Sequence, residues 1–231
     1  MRRPLPLVSL LAALLLAAGC GGGSNKSSKE GTAGGRASPA VEQTGCKSVA
    51  APGPKNVSLP KPRGSLDASK TWTVTFDTNC GSFTVELDAD KAPKTSESVA
   101  YLVRKGFYDG LTFHRIADGF VIQGGDPRGD GTGGPGYKVR ERPPGNTQYV
   151  RGVVAMAKAG NEPPGTSGSQ FFVVTGEDIG LPSDYALAGK VVKGMDAVDK
   201  IAAVPHDASN GPGDGKPSQP VVISKATLSS S

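Results

Sequence analysis

From Thr71 to Leu228 the chain falls into short bursts of alternating apolar and polar residues, separated by turns rich in Gly, Pro and Asp. Thr71 to Phe76 and Ser82 to Leu87 (W-T-V-T-F, F-T-V-E-L) alternate across the turn Thr78-Asn79-Cys80-Gly81, which predicts a hairpin. Phe113 to Asp126 (F-H-R-I-A-D-G-F-V-I-Q-G-G-D) reads as two short strands broken at Asp118-Gly119. Alternation places Phe113 with Arg115 on one face of the first, and Val121 with Gln123 on one face of the second. A small-residue strand from Val154 to Ala159, a Gly/Pro/Ser loop and a strand begun by Gln170-Phe171-Phe172 follow. Ala186 to Val192 and Val221 to Leu228 give the last strands.

Helical spacing occurs twice. Ala92-Pro93 opens a helix to about Lys105, with Val99, Leu102 and Val103 on its apolar face and Gly106 at its stop. Gly194-Met195 starts a second, to about Ala202, with Met195, Val198 and Ile201 at core spacing. His206, in the loop from Pro205 to Pro220, is expected to face solvent.

Composition agrees with many turns: 33 Gly and 19 Pro in 231 residues argue against a helical bundle. Before residue 66 the pattern changes. Met1-Arg2-Arg3, an apolar run from Leu5 to Ala18 and Gly19-Cys20 read as a leader (residues 1–19), with a run shorter than the roughly 20 residues of a membrane-spanning helix. The ending A-A-G-C resembles the bacterial lipobox, with Cys20 as the acylated residue; the alternative is an ordinary secretory peptide that contains a Cys. Gly21-Gly22-Gly23-Ser24 begins a stretch with few large apolar groups, so residues 20–65 read as a flexible tether, stiffened by prolines 52, 54, 60 and 62. About 45 such residues reach on the order of 35–40 Å. The expected location is outside the cytoplasm, lipid-anchored to a bacterial cell membrane.

The net charge of +5 drops to +3 once Arg2 and Arg3 leave with the leader, and no basic run with interleaved aromatics marks a nucleic-acid surface. With Cys20 set aside for lipid, Cys46 and Cys80 remain as a candidate disulfide. Zinc is a poor alternative, because there is no C-x-x-C and His114 and His206 are the only histidines. No Gly-Lys-Ser/Thr follows the glycine-rich loop after Asp126, which excludes a phosphate cradle. G-T-S-G-S (165–169) lacks the Gly that a nucleophile elbow needs two residues after its Ser. Arg115, an Arg among apolar residues, suits a substrate with an apolar ring and a polar backbone; the plain alternative is a stem packed on the core with its head in water.

The pieces F-H-R-I, G-F-V-I-Q-G-G-D, G-T-G-G, M-A-K-A-G, G-S-Q-F-F and A-G-K-V, in this order, closely resemble the cyclophilins, peptidyl-prolyl cis-trans isomerases, over residues 66–228. The resemblance implies a mainly β domain (66–229), a closed eight-stranded antiparallel barrel capped by two helices. It also implies a monomer with no cofactor and no metal, acting on Pro-containing segments of unfolded or folding secreted proteins. Arg115, Gln123 and Phe120 would be catalytic. Phe120, Val121, Phe172 and Leu181 would form the proline pocket, with Tyr185 as its cap. Ala157, Lys158, Ala159 and Gln170 would receive the peptide backbone, and Phe113 and His114 would also contact substrate. Departures from the family pattern are Val121 for Met, Lys158 for Asn, Tyr185 for His, and Gly180 where cyclosporin-sensitive members have Trp.

Rotation of an X-Pro bond must overcome roughly 18–20 kcal/mol of amide resonance. It requires no nucleophile, metal or redox group, only a site that binds the twisted amide better than either planar isomer. The twisted prolyl nitrogen gains a lone pair, and by resemblance Arg115 is the donor that stabilises it, held by Gln123. A module of the same fold that binds Pro-containing segments of envelope partners with little turnover is the alternative; the isomerisation rate separates the two.

Overall fold

The alternating segments pair as their pattern requires. In the computed structural model, which describes residues 45–231, β1 (Trp72–Thr78) and β2 (Gly81–Leu87) form the expected hairpin, with Val74 opposite Val85 and Phe76 opposite Phe83. The remaining strands are β3 (Thr112–Ala117), β4 (Val121–Asp126), β5 (Val139–Arg140), β6 (Val153–Met156), β7 (Thr166–Ser167), β8 (Phe171–Val174), β9 (Leu187–Lys193), β10 (Asp214–Gly215) and β11 (Ile223–Ser230). Nine strands pair in the order β10-β3-β4-β8-β6-β9-β2-β1-β11, and β5 with β7 forms a separate pair.

The fold is mainly β with two helices. Its hydrogen-bonded ladder differs from the expected closed eight-stranded barrel, since it has nine strands with β10 and β11 at its ends. The physical reason lies on β3. The two-residue β10 pairs with Ala117 and Ile116, leaving only the start of β3 for the run into β11. There a single bridge (Thr112 with Val222) and the bond from the Phe113 N–H to the Val221 carbonyl, 2.9 Å, curl the sheet toward itself.

Helix α1 (Pro93–Arg104) buries Val99, Leu102 and Val103 and lies against β5, β9 and β11. Its end follows from Gly106, at φ +62°: the Gly106 N–H donates to Val103 O and the Phe107 N–H to Leu102 O, satisfying carbonyls that the helix leaves open. Helix α2 (Met195–Ala202) buries Val198 and Ile201 against β2, β3 and β4. Inside the curled sheet Phe76, Phe83, Tyr108, Phe113 and Phe171 pack with ring centroids 5.1–6.2 Å apart, a geometry that aromatic pairs favour.

A disulfide joins Cys46 to Cys80. Residues 45–65, expected as the end of a flexible tether, lie along the domain instead. The Lys47 N–H donates to Asn79 O, the Lys55 N–H to Pro127 O (2.7 Å) and the Leu59 N–H to Pro135 O (2.8 Å), while Val57 and Leu59 pack against the core. Such contacts outweigh composition, which reports only the small apolar area of the segment. The leader (1–19), Cys20 and the tether up to residue 44 lie outside the described residues.

Candidate active site

The site forms where β3, β4 and β8 run side by side. Gln123 on β4 pairs with Arg115 on β3 and with Phe172 on β8. The Arg115 side chain donates from Nη1 to Gln123 Oε1 (3.0 Å), and Gln123 Nε2 donates to Gln170 Oε1 (3.1 Å). Gln170 Nε2 in turn donates to the carbonyls of Gly131 and Gly133, both at 2.9 Å. Three residues expected at the site are thereby joined in one hydrogen-bonded row ending on the glycine-rich loop.

That loop is shaped by Asp126, which is buried and accepts from the backbone N–H groups of Arg128 (2.8 Å) and Gly131 (2.5 Å). The tight approach beneath it needs glycine. At Gly125, φ +81°, a Cβ would lie 2.6 Å from Ser169 O. Arg128 and Asp130, the ends of the R-G-D tripeptide, pair with each other at 3.2 Å in exposed positions.

Beside the row lies an apolar cluster separate from the main core. Val121, Phe172, Ala155 and Tyr149 are buried in it, and Phe120, Ala157, Leu181 and Tyr185 pack against them. All four residues expected to form the proline pocket are here. Tyr185 packs edge-on to Phe172 (5.5 Å) and to Tyr149 (6.0 Å). Gly180, at φ +61°, has open space where a larger residue would stand.

A cleft of about 590 Å³ is lined by His114, Arg115, Gln123, Asn210 and Asp214 among others, and Gln123 also borders a recess of about 370 Å³ lined by Ala157, Lys158, Ala159 and Gln170. Within the recess two of the backbone N–H groups are already used: Ala157 donates to Gln170 O and Ala159 to Glu162 Oε2. The strand expected through Ala159 therefore stops at Met156, because the chain turns back at Glu162. Lys158 places its ammonium 5.5 Å from the centre of the Tyr185 ring. His114 sits at the cleft edge with Nδ1 unpaired, and burial pushes its imidazole below the ordinary range, so it is uncharged at neutral pH.

Phe113 is the residue that the structure moves elsewhere. It is 1% exposed, in the main core against Phe83 and Phe171, and does not share a face with Arg115. The register of β3 against β4 shifts between Phe113 and Arg115, so strict alternation fails across His114. His206, expected in solvent, has a side chain only 10% exposed, with Nε2 3.2 Å from Asp118 Oδ1.

Sequence reasoning missed three residues. Asp214 grips Arg115 across 99 positions of chain, Asp126 shapes the loop, and Tyr149 braces the pocket cap. Tyr149 donates to Tyr185 O (2.7 Å) and accepts from the Tyr185 N–H (3.0 Å); burial pushes its hydroxyl up to about 12, so it keeps its proton. No local signal marks any of the three. Replacing Tyr149 by Phe leaves two backbone groups of Tyr185 without their partner and should lower stability by about 1–2 kcal/mol, measured by urea unfolding.

Among the described residues no group of three His, Cys, Asp or Glu is placed to hold a metal. What the site offers is a fixed guanidinium and two amides at the border of an aromatic and aliphatic cluster. Residues 73–228 match the family model described as cyclophilin type peptidyl-prolyl cis-trans isomerase. Peptidyl-prolyl cis-trans isomerase-like 1 of Neurospora crassa is 41% identical over 143 residues, covering 60% of this chain and 86% of that protein. Peptidyl-prolyl cis-trans isomerase A of Mycobacterium tuberculosis is 36% identical over 175 residues, covering 69% and 93%. The crystal structure of a Cryptosporidium parvum cyclophilin type isomerase superposes with a TM-score of 0.62 at 32% identity, over 70% of this chain and 99% of that one, and the same isomerase has been solved in the presence of the dipeptide Ala-Pro. With the site geometry and these relatives in agreement, the chain belongs to the cyclophilin-type peptidyl-prolyl cis-trans isomerases.

Proposed function

We propose that this cyclophilin works outside the cytoplasm, as a monomer anchored to a bacterial membrane by lipid on Cys20, and speeds X-Pro rotation in secreted or envelope proteins as they fold. The observation that carries the mechanism is the Arg115 guanidinium, held by Gln123 at the border of the apolar cluster that contains Val121 and Phe172. A prolyl ring fits the cluster, and a donor beside it can meet the nitrogen lone pair that appears only when the amide twists. Gln123, with its amide between Arg115 and Gln170, can hold both the guanidinium and a substrate carbonyl. Stabilisation confined to the twisted state accelerates the step, whereas equal binding of the planar isomers does not.

The test is the cis-to-trans rate of an Ala-Pro peptide with the wild-type protein and with Arg115→Ala. Acceleration that is lost in the variant supports the mechanism. Equal acceleration by both would leave an isomerase without an Arg115 mechanism, and no acceleration by either would favour a module that only binds.

The location draws support from two features. The Cys46–Cys80 disulfide suits an oxidising compartment, and Arg2-Arg3, the apolar run and A-A-G-C have the order of a lipoprotein leader. The proposed organisation is a leader at 1–19, a tether at 20–65 whose residues 45–65 are tied to the domain, and the isomerase domain at 66–229. Cys20→Ala should move the protein from the membrane fraction to the soluble fraction and abolish labelling by a radiolabelled fatty acid. Retention on membranes with labelling intact would refute lipidation at Cys20.

A further inference from the structure

The Arg115 guanidinium is held from a second side by a residue far away in sequence. Nε donates to Asp214 Oδ1 (2.8 Å) and Nη2 to Asp214 Oδ2 (2.5 Å), a two-point fork that a guanidinium matches and an ammonium cannot. We propose that Asp214 is a positioning residue for catalysis, which holds Arg115 in the one orientation that presents its remaining donors to the twisted amide. The inference rests on the proposed role of Arg115.

Counting donors shows what the fork accomplishes. A guanidinium has five N–H groups. Asp214 takes the Nε–H and one on Nη2, and Gln123 takes one on Nη1. The two left over are one on each terminal nitrogen, so the substrate meets a defined pair of donors. Without Asp214 the group could turn about its Nε–Cζ bond or swing toward water, and a long side chain loses free energy whenever it must be re-ordered for each turnover. Both partners remain partly accessible, at 29% for the Arg115 side chain and 22% for that of Asp214, so the pair is open to substrate on one side.

Asp214 is itself well held. Asn210 Nδ2 donates to Oδ1 (3.1 Å), the Asn210 N–H donates to Asp214 O, and the Asp214 N–H donates to Gly211 O, closing a tight turn. The pairing of β10 with β3 brings that turn over Arg115, and the Asp118 N–H bond to Gly213 O (2.8 Å) ties it down from the other strand end. The hydrogen bond from Arg115 also holds the Asp214 carboxyl below the ordinary carboxylate range. A loop that looks like a mere Gly/Pro-rich connection thus delivers one carboxylate to the catalytic Arg.

The test uses the full-length protein and Asp214→Asn, which keeps the shape but faces one N–H of the guanidinium with an N–H of its own. The expected result is a fall of about tenfold in kcat/KM toward an Ala-Pro peptide, carried by kcat with KM nearly unchanged. Asp214→Glu should recover part of the loss. In proton–nitrogen NMR spectra the terminal N–H signals of Arg115 should be resolved in the wild type, where the fork slows rotation about Nε–Cζ, and averaged in Asp214→Asn. Full activity in Asp214→Asn while Arg115→Ala is inactive would overturn the role of Asp214 and spare that of Arg115. Full activity in Arg115→Ala would overturn both, and an Arg115 signal as rigid in Asp214→Asn as in the wild type would overturn the positioning role by itself.

Discussion

Arg115→Ala is expected to lower kcat/KM toward an Ala-Pro peptide by about a hundredfold, with the loss in kcat. A hydrogen bond to a charged donor contributes roughly 1.5–3 kcal/mol, and each 1.36 kcal/mol is a factor of about ten in rate. Loss of one such contact therefore costs between about tenfold and a hundred-and-fiftyfold. The upper part of that range applies here, because the donor is already oriented by Gln123 and Asp214 and little ordering remains for the reaction to supply. A thousandfold acceleration requires roughly 4 kcal/mol, so the pocket must contribute the rest by holding the ring while the amide turns. KM should change little, since the planar substrate makes scant use of the contact. The Asp214 carboxylate left behind is partly exposed and can be solvated, so the fold should survive, and thermal unfolding of the variant will show that. Arg115→Lys should fall between wild type and Ala, keeping the charge but losing the fork. A variant within threefold of wild type would remove Arg115 from the mechanism.

Removing the Cys46–Cys80 bond is expected to lower stability by about 3–4 kcal/mol. The bond spans 34 positions, and the chain-entropy model assigns roughly that much to a closed loop of this size. For a domain of this length, each kcal/mol moves Tm by roughly 2–4 °C, so a shift of about 10 °C should appear both in Cys46→Ser/Cys80→Ser and in wild-type protein unfolded under reducing conditions. Residues 45–65 form a strap along the domain with further ties, from Lys47 to Asn79, Lys55 to Pro127 and Leu59 to Pro135. In the native state it should therefore stay docked after reduction, and the loss should arise mainly from the larger freedom of the unfolded chain. Reduced and oxidised proteins that melt within about 2 °C of each other would show that the disulfide adds nothing beyond those ties.

Much of the fold is legible in the pattern of residues along the chain. Alternation in W-T-V-T-F and F-T-V-E-L marks the β1–β2 hairpin, and helical spacing with a Pro start and a Gly stop marks α1. These are local properties, carried by neighbours within a few positions. Val121 and Gln123 are both where the motif implies, one facing the apolar cluster and the other in the polar row. Phe113 is not, since the register shift between it and Arg115 changes its facing, and composition carries no sign of the shift. Residues 45–65 mislead for a similar reason. Few large apolar groups suggest a free tether, but backbone hydrogen bonds do not depend on side-chain composition.

The sequence alone determined the eight longer strands and the two helices, the family, and most of the side chains gathered at the candidate site, because each rests on local pattern or on motifs of a few consecutive residues; the two-residue strands β5, β7 and β10 carry no such pattern. Only the tertiary structure decided the nine-strand order, the docking of the strap, and the pairing of Asp214 with Arg115. Those depend on which distant segments meet when the sheet curls, and a pairing across 99 residues leaves no trace in the local spacing of either partner.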